Sequence, residues 1–163
     1  MKDKQPLPEE AVIKEYPNVT LWLDGKQVRA QGNLILTNRR LVFLRQVAPS
    51  QKKLETLQQL SHEASTEKTI QFALSLHKKN FQIPLSSVIC ARLKLYSLLP
   101  FPQMYLSLNY KTSSNRVKTE NFRFWQSPLK RLAMSEFPTL ERVRAINKAT
   151  IAHRAAMACK GDK

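Results

Sequence analysis

Two short apolar runs stand either side of a tight turn in the first third of the chain, and they constrain the fold more than any other feature of the sequence. Gly32-Asn33-Leu34-Ile35-Leu36 and Arg40-Leu41-Val42-Phe43-Leu44 flank Thr37-Asn38-Arg39. Runs of this length, rich in branched and aromatic side chains, read as strands. Asn is among the few residues that accept the positive φ such a turn can demand. Upstream, Val19-Thr20-Leu21-Trp22-Leu23 ends at Asp24-Gly25, a strong hairpin signal. The front of the chain is therefore expected to be an antiparallel meander.

Residues 48 to 80 interrupt the pattern. Leu54, Leu57 and Leu60 recur on one helical face, which predicts a short amphipathic helix over about 50–64. Thr69 to His77 fits two readings: Ile70, Phe72, Leu74 and Leu76 alternate as in a strand, while Ile70, Ala73, Leu74 and His77 share a helical face. Strand is the preferred reading. Phe81-Gln82-Ile83-Pro84-Leu85 follows, its proline suited to an edge or a strand end. Val88 to Tyr96, Met104 to Tyr110 and Val117 to Trp125 supply three further strands, separated by Leu98-Leu99-Pro100-Phe101-Pro102 and Lys111-Thr112-Ser113-Ser114-Asn115. Seven or eight strands result. From Pro138 to Met157 the period changes: Leu140, Val143, Asn147, Ile151 and Arg154 follow spacings of three and four, Pro138 suits a first helical turn, and Gly161 lies past the expected end. A meander followed by one amphipathic helix predicts a mainly β architecture, a bent sheet or barrel whose open end the helix plugs.

A chain of 163 residues, 42% of them hydrophobic, can bury one domain core. Its 27 Lys and Arg against 12 Asp and Glu leave a net charge of +15, which calls for an acidic partner surface, phospholipid or nucleic acid. Residues 1 to 24 are the acidic part. Between Gly25 and Leu54, and again between Lys68 and Thr119, there is no Asp or Glu. Paired-carboxylate hydrolysis and Ca²⁺ or Mg²⁺ sites lose their chemistry there. His62, His77 and His153 lack metal-ligand spacing, and Cys90 and Cys159 form no metal knuckle or disulfide framework. Three glycines cannot write a phosphate-binding loop. No enzyme activity, metal or cofactor is expected. The charged, proline-bearing N-terminus does not resemble a signal peptide, and Arg92, Lys94, Pro100 and Pro102 interrupt the apolar stretch from Val88 to Leu108. A cytoplasmic chain, soluble or peripheral at a membrane, is expected.

The segment from Gly32 to Leu44, followed by Phe81-Gln-Ile-Pro-Leu-Ser-Ser-Val-Ile89, resembles the GRAM branch of the pleckstrin-homology superfamily. In that family a "G-x-L-x-L-T-N-x-R-L-x-F" strand pair precedes an "I-P-L-x-x-I" strand. With Tyr105-Leu-Ser-Leu-Asn-Tyr110, Phe122-Arg-Phe-Trp125 and the closing helix, the resemblance spans about 16–157, leaving 1–15 as a lead-in and 158–163 as a tail. It implies a bent antiparallel seven-stranded sheet capped by a C-terminal helix, with a helical insertion of about 48–80 after the third strand. The insertion is longer than the family's usual connection. Of the basic signature that many pleckstrin-homology domains use for inositol phosphates, Lys26 and Arg29 are the nearest remnants.

The expected function is a non-catalytic binding module that docks to an anionic membrane surface or phosphoinositide. A protein-binding adaptor and non-specific nucleic-acid binding through the basic surface are the alternatives. Lys26, Arg29, Arg40 and Arg45 are the candidate headgroup ligands; the duller role for Arg40, and for Arg39 beside it, is to hold the turn and its carbonyls. Leu98, Leu99 and Phe101 are candidate membrane or partner contacts, with core packing beneath the helix as the competing reading. Trp22 and Trp125 read as core aromatics. On the C-terminal helix, Arg142, Arg144, Lys148 and Arg154 read first as a solvated face.

Overall fold

The computed structural model describes residues 9–23, 26–46, 55–56, 65–98, 101–124 and 138–161. Seven strands form one antiparallel sheet: β1 (Val12–Leu23), β2 (Lys26–Thr37), β3 (Arg40–Arg45), β4 (Phe81–Pro84), β5 (Val88–Leu98), β6 (Phe101–Lys111) and β7 (Val117–Phe124). Their spatial order is β4-β3-β2-β1-β7-β6-β5, so β4 and β5 are the outer strands. Helix α1 (Thr66–Ser75) lies between β3 and β4, a 3-10 turn over Leu85–Ser87 joins β4 to β5, and helix α2 (Pro138–Gly161) ends the described chain. This is the bent seven-stranded sheet with a C-terminal helix that the sequence led us to expect.

Period-two patterning builds the core. Along β2, Ala30, Leu34 and Leu36 are buried while Gln31 and Asn33 are exposed. Phe43 on β3 stacks on Phe81 of β4 with centroids 5.4 Å apart, and lies 6.2 Å from Phe122 of β7. Val143, Ile146 and Ala149 of α2 join this core. Gly32 is required by close approach: a Cβ there would lie 2.3 Å from the Leu44 carbonyl oxygen.

Several expectations need correction. Thr69 to His77 belongs mostly to α1, and the preferred strand reading fails because β4 already occupies the place beside β3. The buried positions of α1 are Ile70 and Ala73, three apart as a helix requires. Val42, whose side chain points away from those of Leu41 and Phe43, is also fully buried. β1 opens at Val12, so the lead-in expected to run to residue 15 contributes to the sheet. Leu98 pairs with Phe101 and Ser97 with Pro102, so the expected long connection is a hairpin tip. In α2, Ile151 is 67% exposed while Ile146 is buried, which turns the core-facing stripe away from the spacing read in sequence, and Gly161 closes the helix instead of lying past it.

Asn38 also serves a different purpose from the one expected. Positive φ among the described non-glycine residues occurs at Asn18 and Asn115, not at Asn38. Asn38 instead clamps the approach to β1: its Oδ1 accepts from Ala11 N–H at 3.0 Å and its Nδ2 donates to the Glu9 carbonyl at 3.0 Å. Of the helix expected over 50–64, Glu55 and Thr56 are helical; Leu54, Leu57 and Leu60 lie outside the described residues, as do Asp24, Gly25 and Trp125. No described helix is long and apolar enough to cross a membrane.

Candidate anion-binding rim

Strand register decides which connections meet. The β1–β2 connection lies beyond the Val19–Gly32 pair, and Gly32 also faces Arg45, the last residue of β3. Trp22 faces Asn121 while Val19 faces Phe124, so β7 starts on the side where β1 ends. The Lys111–Val117 pair carries the β6–β7 turn to that same side. Three connections distant in sequence therefore point the same way along the sheet, the one after β3 leaving level with Val19 and Phe124 and the β6–β7 turn further along β7.

That side is basic. Asn80 Oδ1 accepts from Arg45 N–H at 2.8 Å, which fixes the turn carrying Lys78 and Lys79 against the end of β3. Lys78, Lys79, Lys111 and Arg116 are exposed and Arg45 is half-buried. His77 reports the resulting field. Lost hydration, then the charges of Arg45, Lys79 and Lys78, hold its imidazole below the usual histidine range. In the β6–β7 turn Asn115 takes φ 57°, and the Thr112 N–H donates to the Arg116 carbonyl at 2.9 Å. This turn holds Lys111 and Arg116 on a short, hydrogen-bonded connection.

A carboxylate lies just inside. Glu120 is 2% exposed, and its Oε1 meets Lys118 Nζ at 2.8 Å. That hydrogen bond outweighs burial and raises the Lys118 pKa, so Lys118 stays charged. Burial, then the Glu120 charge, raises the Tyr110 phenol. An anion meets favourable charge at the rim and an inward carboxylate below it, so the arrangement suits docking at the surface better than deep entry.

The sequence candidates divide among different places. Arg45 belongs to the rim. Lys26 and Arg29 stand on β2 toward the same end, with Lys26 about 20 Å of strand beyond Gly32 at the usual rise per residue. Arg40 does not belong to it. It sits at the opposite end, 9% exposed, where Nε donates to Glu10 Oε1 at 2.8 Å, one terminal nitrogen meets Glu10 Oε2, and the other donates to Gln82 Oε1. Arg39 pairs with Glu67 of α1 at 3.3 Å. Both arginines hold structure at the turn. The Leu98–Phe101 hairpin tip is also at the end opposite the rim, because β6 starts where it finishes its pairing with β7; Leu99 lies outside the described residues. Lys78, Lys79, Lys111 and Arg116 were not singled out in sequence. The available signal was that each sits in or beside a turn within the carboxylate-free stretch from Lys68 to Thr119.

Among the described residues no group of His, Cys, Asp or Glu could hold a metal ion. No protein-family model matches the chain, and no curated protein matches it either. Among solved structures, the Vps36 N-terminal PH domain is similar at 14% sequence identity with a TM-score of 0.49, covering 88% of this chain and 80% of that one.

Proposed function

We propose that this chain is a non-catalytic module of the GRAM and pleckstrin-homology type that docks on an anionic phospholipid surface through the basic rim. One observation carries the reading: Arg45, Lys78 and Lys79 lie together where β3 ends, on the side toward which the turn carrying Lys111 and Arg116 also points, and none of the five has an ion-pair partner among the described residues. At roughly 1 kcal/mol for each basic residue near an anionic leaflet, five contribute up to about 5 kcal/mol. That strength gives reversible, salt-sensitive docking and not permanent anchoring. Lys26 and Arg29 lie toward the same side.

Flotation with phosphatidylserine-containing and pure phosphatidylcholine vesicles is the test. Capture is expected only with the anionic vesicles, weakening as salt rises, and falling by about tenfold in a Lys78→Glu/Lys79→Glu variant. Equal capture by both vesicle types, or an unchanged variant, overturns the reading.

A further inference from the structure

The C-terminal helix carries a second feature where it packs on the outer strand β5. Asn147 engages both backbone polar groups of Ala91 on β5: its Oδ1 accepts from the N–H and its Nδ2 donates to the carbonyl, each at 3.0 Å. Arg154 donates to the Val88 carbonyl. Since β5 is an outer strand, these side chains stand where a neighbouring strand would pair, and they close Val88–Ala91 to strand addition. Asn147 also borders a shallow, open groove of about 450 Å³ along the helix, lined with Arg144, Lys148, Ile151 and Ala152. These positions follow helical spacing, so they form one stripe, which the exposed Ala155 and Ala158 continue.

We propose that this stripe is the docking surface for an acidic amphipathic helix of a partner protein. The stripe has two halves. Arg144 and Lys148 stand one turn apart, both exposed and without an ion-pair partner among the described residues. Carboxylates spaced one turn apart on an incoming helix match them. Beyond them, Ile151 is the most exposed large apolar side chain described, and Ala152 and Ala155 are small enough to let a second helix approach closely. A large apolar side chain one or two turns along the partner would cover Ile151 and lie in the groove.

Charge selects this occupant. A second copy would bring Arg144 and Lys148 against a chain carrying +15, whose exposed carboxylates, Glu9, Glu15, Glu67 and Glu141 among them, are outnumbered by its cations. A bilayer offers charge but no side chain to lie in the groove. Because Asn147 closes the strand edge, the partner attaches through side chains alone. The proposal does not depend on lipid docking at the rim.

The test titrates the full chain against a labelled synthetic helical peptide that carries Glu pairs one turn apart followed by Leu on the same face. A control peptide has Lys in place of Glu. Saturable anisotropy is expected with the acidic peptide only, weakened about tenfold by Arg144→Glu/Lys148→Glu and by Ile151→Asp, and unchanged by Lys78→Glu/Lys79→Glu. All substituted positions are surface positions, and thermal melting checks that each variant is folded. Absence of saturable binding, or equal binding by the stripe variants, overturns the proposal. So does sedimentation showing a dimer of the chain that Ile151→Asp dissociates, which assigns the stripe to a second copy.

Discussion

Replacing Arg40 by alanine separates a fold role from a ligand role at the most conspicuous arginine of the second hairpin. The Glu10 side chain has no exposed surface and that of Arg40 is 10% exposed. Removing the guanidinium leaves a buried carboxylate whose one remaining hydrogen-bond donor among the described residues is the Thr37 hydroxyl at 2.8 Å. It also frees Gln82 Oε1. Breaking a buried pair by deleting one partner costs about 3–5 kcal/mol. At about 2–4 °C per kcal/mol for a chain of this size, Tm should fall by about 6–20 °C. Arg40→Lys keeps the charge but lacks the planar fork that reaches both Glu10 oxygens and Gln82, so its loss should be intermediate. Urea unfolding followed by circular dichroism gives the stabilities, and flotation with phosphatidylserine-containing vesicles gives capture by the folded Arg40→Lys variant. An alanine variant within about 1 kcal/mol of the parent refutes the reasoning, since that is the scale of an exposed pair. So does a stable Arg40→Lys that no longer binds anionic vesicles.

Burial pushes the Glu10 carboxyl up, but hydrogen bonds from Arg40 and Thr37 and the charges of Arg40 and Arg39 outweigh it, leaving its pKa below the ordinary carboxylate value. A depressed carboxylate stabilises fully above the unfolded value of about 4.3 and loses that contribution as pH falls through its folded pKa. The Tm gap between the parent and Glu10→Gln should therefore be widest above about pH 5 and close below about pH 4; a gap that persists unchanged in acid contradicts it. Gly32→Ala places a Cβ 2.3 Å from the Leu44 carbonyl oxygen and 2.7 Å from the Phe43 ring. Chemical denaturation should show a loss of about 2–3 kcal/mol, and parental stability would remove the close-approach account. The imidazole of His77, held down by lost hydration and by Arg45, Lys79 and Lys78, should titrate higher when inorganic phosphate or anionic bicelles occupy the rim. An NMR titration that leaves His77 unmoved while the protein binds places the anion elsewhere.

How far the fold was legible depends on where its determinants lie. The hairpin from Gly32 to Leu44 could be read because its alternation and its turn are local, and the observed pairs Leu34–Phe43 and Ile35–Val42 follow from them. The helix over Thr66–Ser75 could not be decided locally. Ile70, Phe72, Leu74 and Leu76 alternate as well as any strand, and the choice falls to a tertiary fact, the occupation of the β3 edge by Phe81–Pro84. Asn38 shows a subtler limit. Its residue type suited a turn, but the structure uses its carboxamide to hold Glu9 and Ala11, and nothing near Asn38 in sequence announces those partners.

The binding surface was harder to read for an electrostatic reason. Sequence shows how many cations a chain has but not which carboxylate each one meets, and that pairing decides whether an arginine is structure or site. Arg39, Arg40 and Arg45 are equivalent in composition, yet Arg39 reaches Glu67 and Arg40 reaches Glu10, while Arg45 ends a strand beside Lys78 and Lys79. Self-repulsion among unpaired cations opposes folding. Here Lys78, Lys79 and Arg116 fall on turns and Lys111 on the last residue of β6, where side chains keep their hydration. A sheet with almost no carboxylates can thus carry its excess charge at the ends of its strands. The same placement that limits the cost to the fold leaves those cations open to an anionic surface.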